Sequence, residues 1–296
     1  MNTRRLNTAF PDDVLTTRTK VELRQQLSLW RQRGDAIAVV PTMGNLHEGH
    51  LSLLHIAKSK ADRVVATIFV NPTQFGEGED FDDYPRSLEK DSAKLSDEDV
   101  DLLFVPDIAT VYPFGIDHAT QISVPGLTDD FCGLGRPGHF DGVATVVMRL
   151  FALVQPDIAV FGQKDYQQQL VIRRMVDDIG LPIEVVTGPV IREASGLAMS
   201  SRNSFLDDDE RHIAATLFRV LRNASDSLQV DTSKFAALET EAQAELEQAG
   251  MQLEYFAIRD AENLEQPDAT CNRLVILAAV RIGKVRLIDN VLVNTS

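Results

Sequence analysis

His47 and His50 stand three positions apart in Pro41-Thr42-Met43-Gly44-Asn45-Leu46-His47-Glu48-Gly49-His50, and the apolar run Leu51-Ser52-Leu53-Leu54 follows them. Positions i and i+3 share one face of a helix, so a helix starting here aims both imidazoles at one small object. The first helical turn also offers unpaired N–H groups and the positive end of the dipole. The result is an anion site with two imidazoles built in, and phosphate is the anion it fits. Two other readings compete. Zinc needs a third and usually a fourth ligand, and the metalloprotease spacing is His-Glu-x-x-His, whereas here it is His-Glu-Gly-His. The pair could instead merely cap and pack, but Gly49 between them suggests close approach of something to the backbone.

Three further clusters carry groups of the same kind. Phe161-Gly162-Gln163-Lys164-Asp165-Tyr166-Gln167-Gln168 leaves an apolar run, with Gly162 permitting close approach and Lys164 offering a flexible point charge for phosphate. Met199-Ser200-Ser201-Arg202-Asn203 sets two hydroxyls beside an arginine, a combination that can clamp phosphate and, in a junction loop, close over a ligand. Asn71, Gln74 and Gln168 supply neutral amides for hydroxyls or a carboxylate. Each has a bland counterpart: a solvated lysine, an ordinary helix start, a polar surface. Their joint arrangement gives them weight.

The elements that must position these groups are legible from periodicity. Leu23, Leu27 and Trp30 share one face of a helix over Val21–Arg33 that stops at Gly34, and Ala36–Val40 is a strand ahead of the histidine helix. Val64–Val70 reads as a strand buried on both faces and ends at Asn71-Pro72. The polar loop Thr73–Asp80 follows, then a charged helix over Ser87–Asp97 and a strand over Val100–Val105. An irregular stretch, Pro106–Asp141, holds Gly133, Gly135 and Gly138 in a G-x-G-x-x-G match. No strand leads into it and Pro137 interrupts it, so the match is accidental and the glycines serve tight turns. A helical stripe over Val143–Val154, a strand over Asp157–Gly162, a helix over Tyr166–Ile179 and a strand over Ile183–Val190 complete the alternation.

Buried strands joined by helices predict an α/β fold, a Rossmann-like doubly wound parallel sheet over residues 1–190, with ligands at the C-terminal strand ends. Residues 191–296 predict a smaller C-terminal α+β domain. It has helices over His212–Leu228 and Lys234–Ala249, and strands over Leu253–Ile258, Arg273–Val280 and Val285–Val293, the last two joined as a hairpin through Gly283.

The 296 residues carry a net charge of −15, which argues against nucleic acid or an anionic membrane as main partner. Cys132 and Cys271 form no metal or redox spacing. Met1–Lys20 lacks the apolar core of a signal peptide and no run reaches membrane-spanning length. A cytoplasmic protein is expected.

Pro41–Gly44, His47–His50, Asn71-Pro72-Thr73-Gln74-Phe75, Gly133–Val143, Gly162–Asp165, Met199–Asn203 and Arg286-Leu287-Ile288-Asp289-Asn290 together resemble the motif set of the pantoate–β-alanine ligase (pantothenate synthetase) family. They occur in order over essentially the whole chain. The His-x-Gly-His element alone marks only the wider HIGH-motif nucleotidyltransferase superfamily. The resemblance implies ATP-dependent condensation of pantoate with β-alanine to pantothenate through a pantoyl adenylate, releasing AMP and diphosphate. It implies magnesium with ATP and a homodimer, with no ligands for the metal identified. Catalytic roles then fall to His47, His50, Lys164, Ser200, Ser201 and Arg202. The ATP wall adds Pro41, Met43, Gly44, Gly49, Gly162, Gln163, Asp165, Ile191 and Met199. Asn71, Gln74 and Gln168 bind pantoate or β-alanine. Family members often carry glutamate where this chain has Gln163. Glu77–Asp83 and the Met199 junction are the candidates for a loop that closes over the adenylate.

Competing functions remain at this stage. A nucleotidyltransferase would keep AMP in its product, a tRNA-charging enzyme would need an RNA-binding surface, and a dead nucleotide-binding protein would not need His47, His50, Lys164 and Arg202 together.

Overall fold

The computed structural model describes residues 14–76, 78–79, 81–230, 234–268 and 271–294. Glu77 and Asp80 of the candidate closing loop lie outside the described residues, as do residues 1–13. The chain runs β1 (Thr16–Thr17), α1 (Lys20–Arg31), β2 (Ile37–Thr42), α2 (Glu48–Lys60), β3 (Arg63–Ile68), a 3-10 turn (Pro72–Gln74), α3 (Leu88–Asp97), β4 (Leu102–Phe104) and α4 (Ile108–Val111). It continues through α5 (Cys132–Gly135), α6 (His139–Val154), β5 (Ile158–Gly162), α7 (Tyr166–Ile179) and β6 (Glu184–Gly188). A second 3-10 turn (Ser201–Phe205) precedes α8 (Asp208–Val230), α9 (Phe235–Gln248), β7 (Gln252–Asp260), β8 (Arg273–Ile282) and β9 (Val285–Asn294).

Six strands form one sheet in the order β1-β4-β3-β2-β5-β6. The pairs β1/β4, β4/β3, β3/β2 and β2/β5 are parallel, the doubly wound arrangement that the buried, helix-linked strands predict. The order reverses between β2 and β5, and ligands of such sheets lie beyond the strand ends at that switch. Ile37, Ala38, Val39 and Val40 are all 0% exposed, which explains why β2 is apolar without alternation.

Contacts divide the chain into two compact units. The first comprises Met1–Val124, Pro137–Phe161 and Ile172–Gly188, and the second Pro125–Arg136, Gly162–Val171 and Pro189–Ser296. In the first, Val40, Leu54, Val64, Leu103 and Val160 share one core cluster. In the second, β8 pairs antiparallel with both β7 and β9, and α8 residues such as Leu217 and Leu221 pack with Ile276 and Ala278 of β8. Pairing of Ile282 with Val285 leaves only Gly283-Lys284 in the hairpin turn, with Gly283 at φ +54°. Two-residue hairpin turns need that left-handed region.

The structure departs from the periodicity at several places: the stretch read as irregular holds the short helices α4 and α5, and α6 begins at His139 rather than Val143. Thr16–Thr17 adds an edge strand beside Leu103 and Phe104. Helix α8 begins a turn before His212, with Asp208, Asp209 and Glu210 in its first turn, where carboxylates favour the dipole. Among the described residues no helix is long and apolar enough to cross a membrane.

Gly142, inside α6, shows how closely the first unit is packed near its loops. A Cβ there would lie 2.2 Å from the carbonyl oxygen of Thr73. Gly142→Ala is expected to cost about 1–3 kcal/mol by overpacking. The measure is a lower urea midpoint at unchanged slope; a midpoint equal to that of the parent would show that the Pro72–Gln74 turn yields freely.

Candidate active site

Strand β2 ends at Thr42, whose Oγ1 donates to Thr67 O at 2.7 Å and accepts from Gly44 N at 3.2 Å. Gly44 and Asn45 then take left-handed backbone, at φ +86° and +51°. Asp91 of α3 holds this turn: its carboxylate accepts from Asn45 N and Leu46 N, each at 2.8 Å, and from Ser87 Oγ at 3.1 Å. It is 1% exposed. A Cβ on Gly44 would stand 3.2 Å from Asp91 Oδ2, so glycine is what lets the carboxylate close in.

Helix α2 begins with His47 as N-cap rather than inside the first turn. His47 Nδ1 accepts from Gly49 N at 3.1 Å, and His50 Nδ1 accepts from His47 N at 3.3 Å. This is a capping box built from two imidazoles in place of the usual Ser/Thr and Glu. An Nδ1 that accepts a backbone N–H carries no proton, so both rings are the neutral Nε2–H tautomer. Each ring therefore carries its proton at Nε2. The rings lie 4.1 Å apart, centroid to centroid. The capping and the phosphate readings of the pair are thus compatible.

Asn71 and Gln74 bracket the first 3-10 turn. Asn71 is 1% exposed; its Nδ2 donates to Gln74 Oε1 and to Gly142 O, both at 3.2 Å, and its Oδ1 accepts from Tyr112 Oη at 2.8 Å. Burial pushes the Tyr112 hydroxyl above its usual pKa. Gln74 Nε2 donates to Met43 Sδ at 3.0 Å, and Gln74 O meets His139 Nδ1 at 2.7 Å. The Met43–Gly44 turn and the Asn71–Gln74 turn are thereby brought together in the first unit.

In the second unit, Gly162 leads into a turn over Gln163–Asp165 ahead of α7. Asn290 Nδ2 donates to Gln163 O at 2.9 Å and to Lys164 O at 3.0 Å, while Gln163 Nε2 donates to Asn290 Oδ1 at 3.1 Å. Lys164 and Gln168 are half-buried. Gln167 is a brace instead, donating to Leu127 O at 2.8 Å and Asp130 O at 2.9 Å and accepting from Cys132 N at 3.0 Å. Ile191 O accepts from Met199 N at 2.9 Å and Arg192 bridges to Ala198, which makes a hairpin that delivers the chain to Ser200. Ser200 caps the second 3-10 turn, accepting from Arg202 N at 3.3 Å. Asn203 pins that turn by donating to Glu193 Oε1 at 2.8 Å and to Ala198 O at 3.0 Å. Arg192 in turn holds Asp289 by two bonds, of 2.6 and 2.9 Å. Burial pushes the Asp289 carboxyl upward, and Arg192 with Lys164 opposes that shift.

Sequence reasoning missed Asp91, Tyr112, His139 and Asp289 as supports, because their partners are distant in sequence. Gly133 and Gly138 do serve turns: a Cβ on Gly133 would fall 1.8 Å from Thr128 O, and Gly138 caps α6 at φ +78°.

Residues 15–292 match the family model described as pantoate-beta-alanine ligase. A pantothenate synthetase of Shewanella halifaxensis is 51% identical over 281 residues, covering 95% of this chain and 99% of the relative. The crystal structure of pantothenate synthetase from Thermus thermophilus superposes with a TM-score of 0.87 at 44% identity, covering 94% of this chain and 99% of that one. The pantoate-beta-alanine ligase of Francisella tularensis, crystallised in complex with beta-gamma ATP and beta-alanine, gives a TM-score of 0.75 at 35% identity over 94% of this chain and 97% of that one. The chain belongs to the pantoate–β-alanine ligase family and is a ligase that forms pantothenate from pantoate and β-alanine.

Proposed function

We propose that the condensation runs in two steps at a nucleotide site built on the histidine pair. The carboxylate of pantoate attacks the α-phosphorus of ATP, the bond to diphosphate breaks, and a pantoyl adenylate remains. The amine of β-alanine then attacks the acyl carbonyl, AMP leaves, and the amide loses its extra proton to solvent. The observation that carries this reading is the reciprocal capping of His47 and His50. It provides two preorganised neutral N–H donors at a helix N-terminus, suited to charge that builds on the α-phosphate. The complex of the Francisella relative with beta-gamma ATP and beta-alanine supports the same co-substrates here.

Lys164, Ser200, Ser201 and Arg202 hold the phosphates. Pro41, Met43, Gly44, Gly49, Gly162, Gln163, Asp165, Ile191 and Met199 line the nucleotide. Gln74 and Gln168 grip pantoate, with Asn71 orienting Gln74 through its amide. Magnesium would enter with the ATP substrate and would need few protein ligands. In this reading residues 1–190 form the catalytic domain and 191–296 carry the phosphate-holding loop. The family resemblance supports a homodimer, and two cysteines with no disulfide framework fit a cytoplasmic setting. A nucleotidyltransferase that keeps AMP in its product is not favoured, since the matches cover the ligase family over nearly the full chain.

Three outcomes test the scheme. With magnesium and pantoate but no β-alanine, labelled diphosphate should exchange into ATP; absence of exchange would sink the adenylate route. His50→Ala should lower the rate of that exchange by about 10²–10³ with a far smaller change in ATP affinity, as for loss of a transition-state donor. An unchanged rate would leave His50 a cap only. His47→Asn keeps a good N-cap but removes the Nε2 donor, so its stability should stay within about 1 kcal/mol of the parent while exchange falls. Retained exchange in that variant would assign His47 to capping alone.

A further inference from the structure

The last strand, β9, ties the Gln163–Lys164 turn directly and, through Arg192, the hairpin that leads to Ser200. Asn290 is 1% exposed and its amide is fully engaged, with both Nδ2 hydrogens spent on the carbonyls of Gln163 and Lys164 and Oδ1 on the side chain of Gln163. Its neighbour Asp289, 4% exposed, takes the guanidinium of Arg192 at two points. Arg192 also donates to Gly196 O at 3.1 Å and lies 3.6 Å over the ring of Phe218. The hairpin thus fixed at its base is the one that presents Ser200 and Arg202. A lysine is a point charge on a flexible stem, so where its ammonium can reach depends on where its backbone is tied. The two residues are not exchangeable. A carboxylate at 290 would face two carbonyl oxygens, and an amide at 289 would leave the Arg192 charge without its counter-ion.

We infer that Asp289 and Asn290 are positioning residues for adenylate formation, setting Lys164 through its own and Gln163's carbonyls and setting the Ser200–Arg202 turn through Arg192. The inference rests on the assignment of Lys164 and Arg202 to the ATP phosphates. It separates the two half-reactions, because diphosphate is present in the first and gone from the second.

The full-length protein with Asn290→Ala is compared with the parent in two assays: ATP–diphosphate exchange with pantoate, and attack of β-alanine on pantoyl adenylate supplied ready-made. Exchange should fall by about tenfold or more while the second assay stays within about twofold. Combined with Lys164→Ala, Asn290→Ala should add no further loss, since residues acting through one group are not additive. An equal fall in both assays, or losses that multiply in the double variant, would overturn the inference in favour of a general structural role. Loss of exchange in Lys164→Ala beside normal exchange in Asn290→Ala would overturn it while sparing the phosphate assignment. Normal exchange in Lys164→Ala would overturn both. Should Asn290→Ala fail to give a cooperative melt, the isosteric Asp289→Asn carries the same comparison, with exchange again expected to fall and the second assay to hold.

Discussion

A buried carboxylate holds the turn on which the histidine pair depends. Asp91 offers both oxygens to the N–H groups of Asn45 and Leu46, in a stretch where Gly44 and Asn45 adopt backbone that is costly for most residues. Once that turn is fixed, Leu46 is buried at 3% exposure and His47 arrives at the N-cap with extended backbone, φ −136° and ψ 174°. Helix α2 then follows from the cap, and Leu51, Leu54 and Ala57 seat it in the core. Hydrogen bonds to a charged acceptor are worth roughly 1.5–3 kcal/mol each. That is enough to offset a left-handed asparagine.

The second unit solves the complementary problem. The Gly44–Leu46 turn presents N–H groups inward and is met by a carboxylate; the Gln163–Lys164 turn presents carbonyls and is met by an amide, Asn290. In each unit the group that fixes the turn stands on a regular element, α3 or β9. Rigid elements hold loops more accurately than loops hold themselves. Buried polar networks of this kind are stable only when every member is satisfied, and Asn71, Asn290 and Asp289 all have their partners within the protein.

Much of this was legible in the sequence, and what was not shares a cause. Strand β2, helix α2 and helix α7 were readable because burial on two faces gives an unbroken apolar run and helical burial gives a stripe. The His47–His50 spacing gave the shared face, though it did not reveal that His47 is the cap itself. Thr16–Thr17 was illegible because a two-residue edge strand has no period. Gln167 and Gln168 look alike in sequence, and only the carbonyls of Leu127 and Asp130 make the first a brace. Asp91 sits in a helix crowded with surface charge, and nothing local marks one carboxylate there as buried. Polar supports are defined by partners far along the chain, so periodicity is silent about them.

Gln163 is the one departure noted from the family pattern, and Asn290 gives it a physical reading. With both Nδ2 hydrogens committed to carbonyls, the amide of Asn290 cannot turn over, so Oδ1 must face the side chain at 163. An oxygen with open lone pairs wants a donor, and Gln163 Nε2 supplies one at 3.1 Å. An ionised carboxylate in the same place would offer that oxygen no donor. Glutamine keeps the backbone tie and satisfies the asparagine.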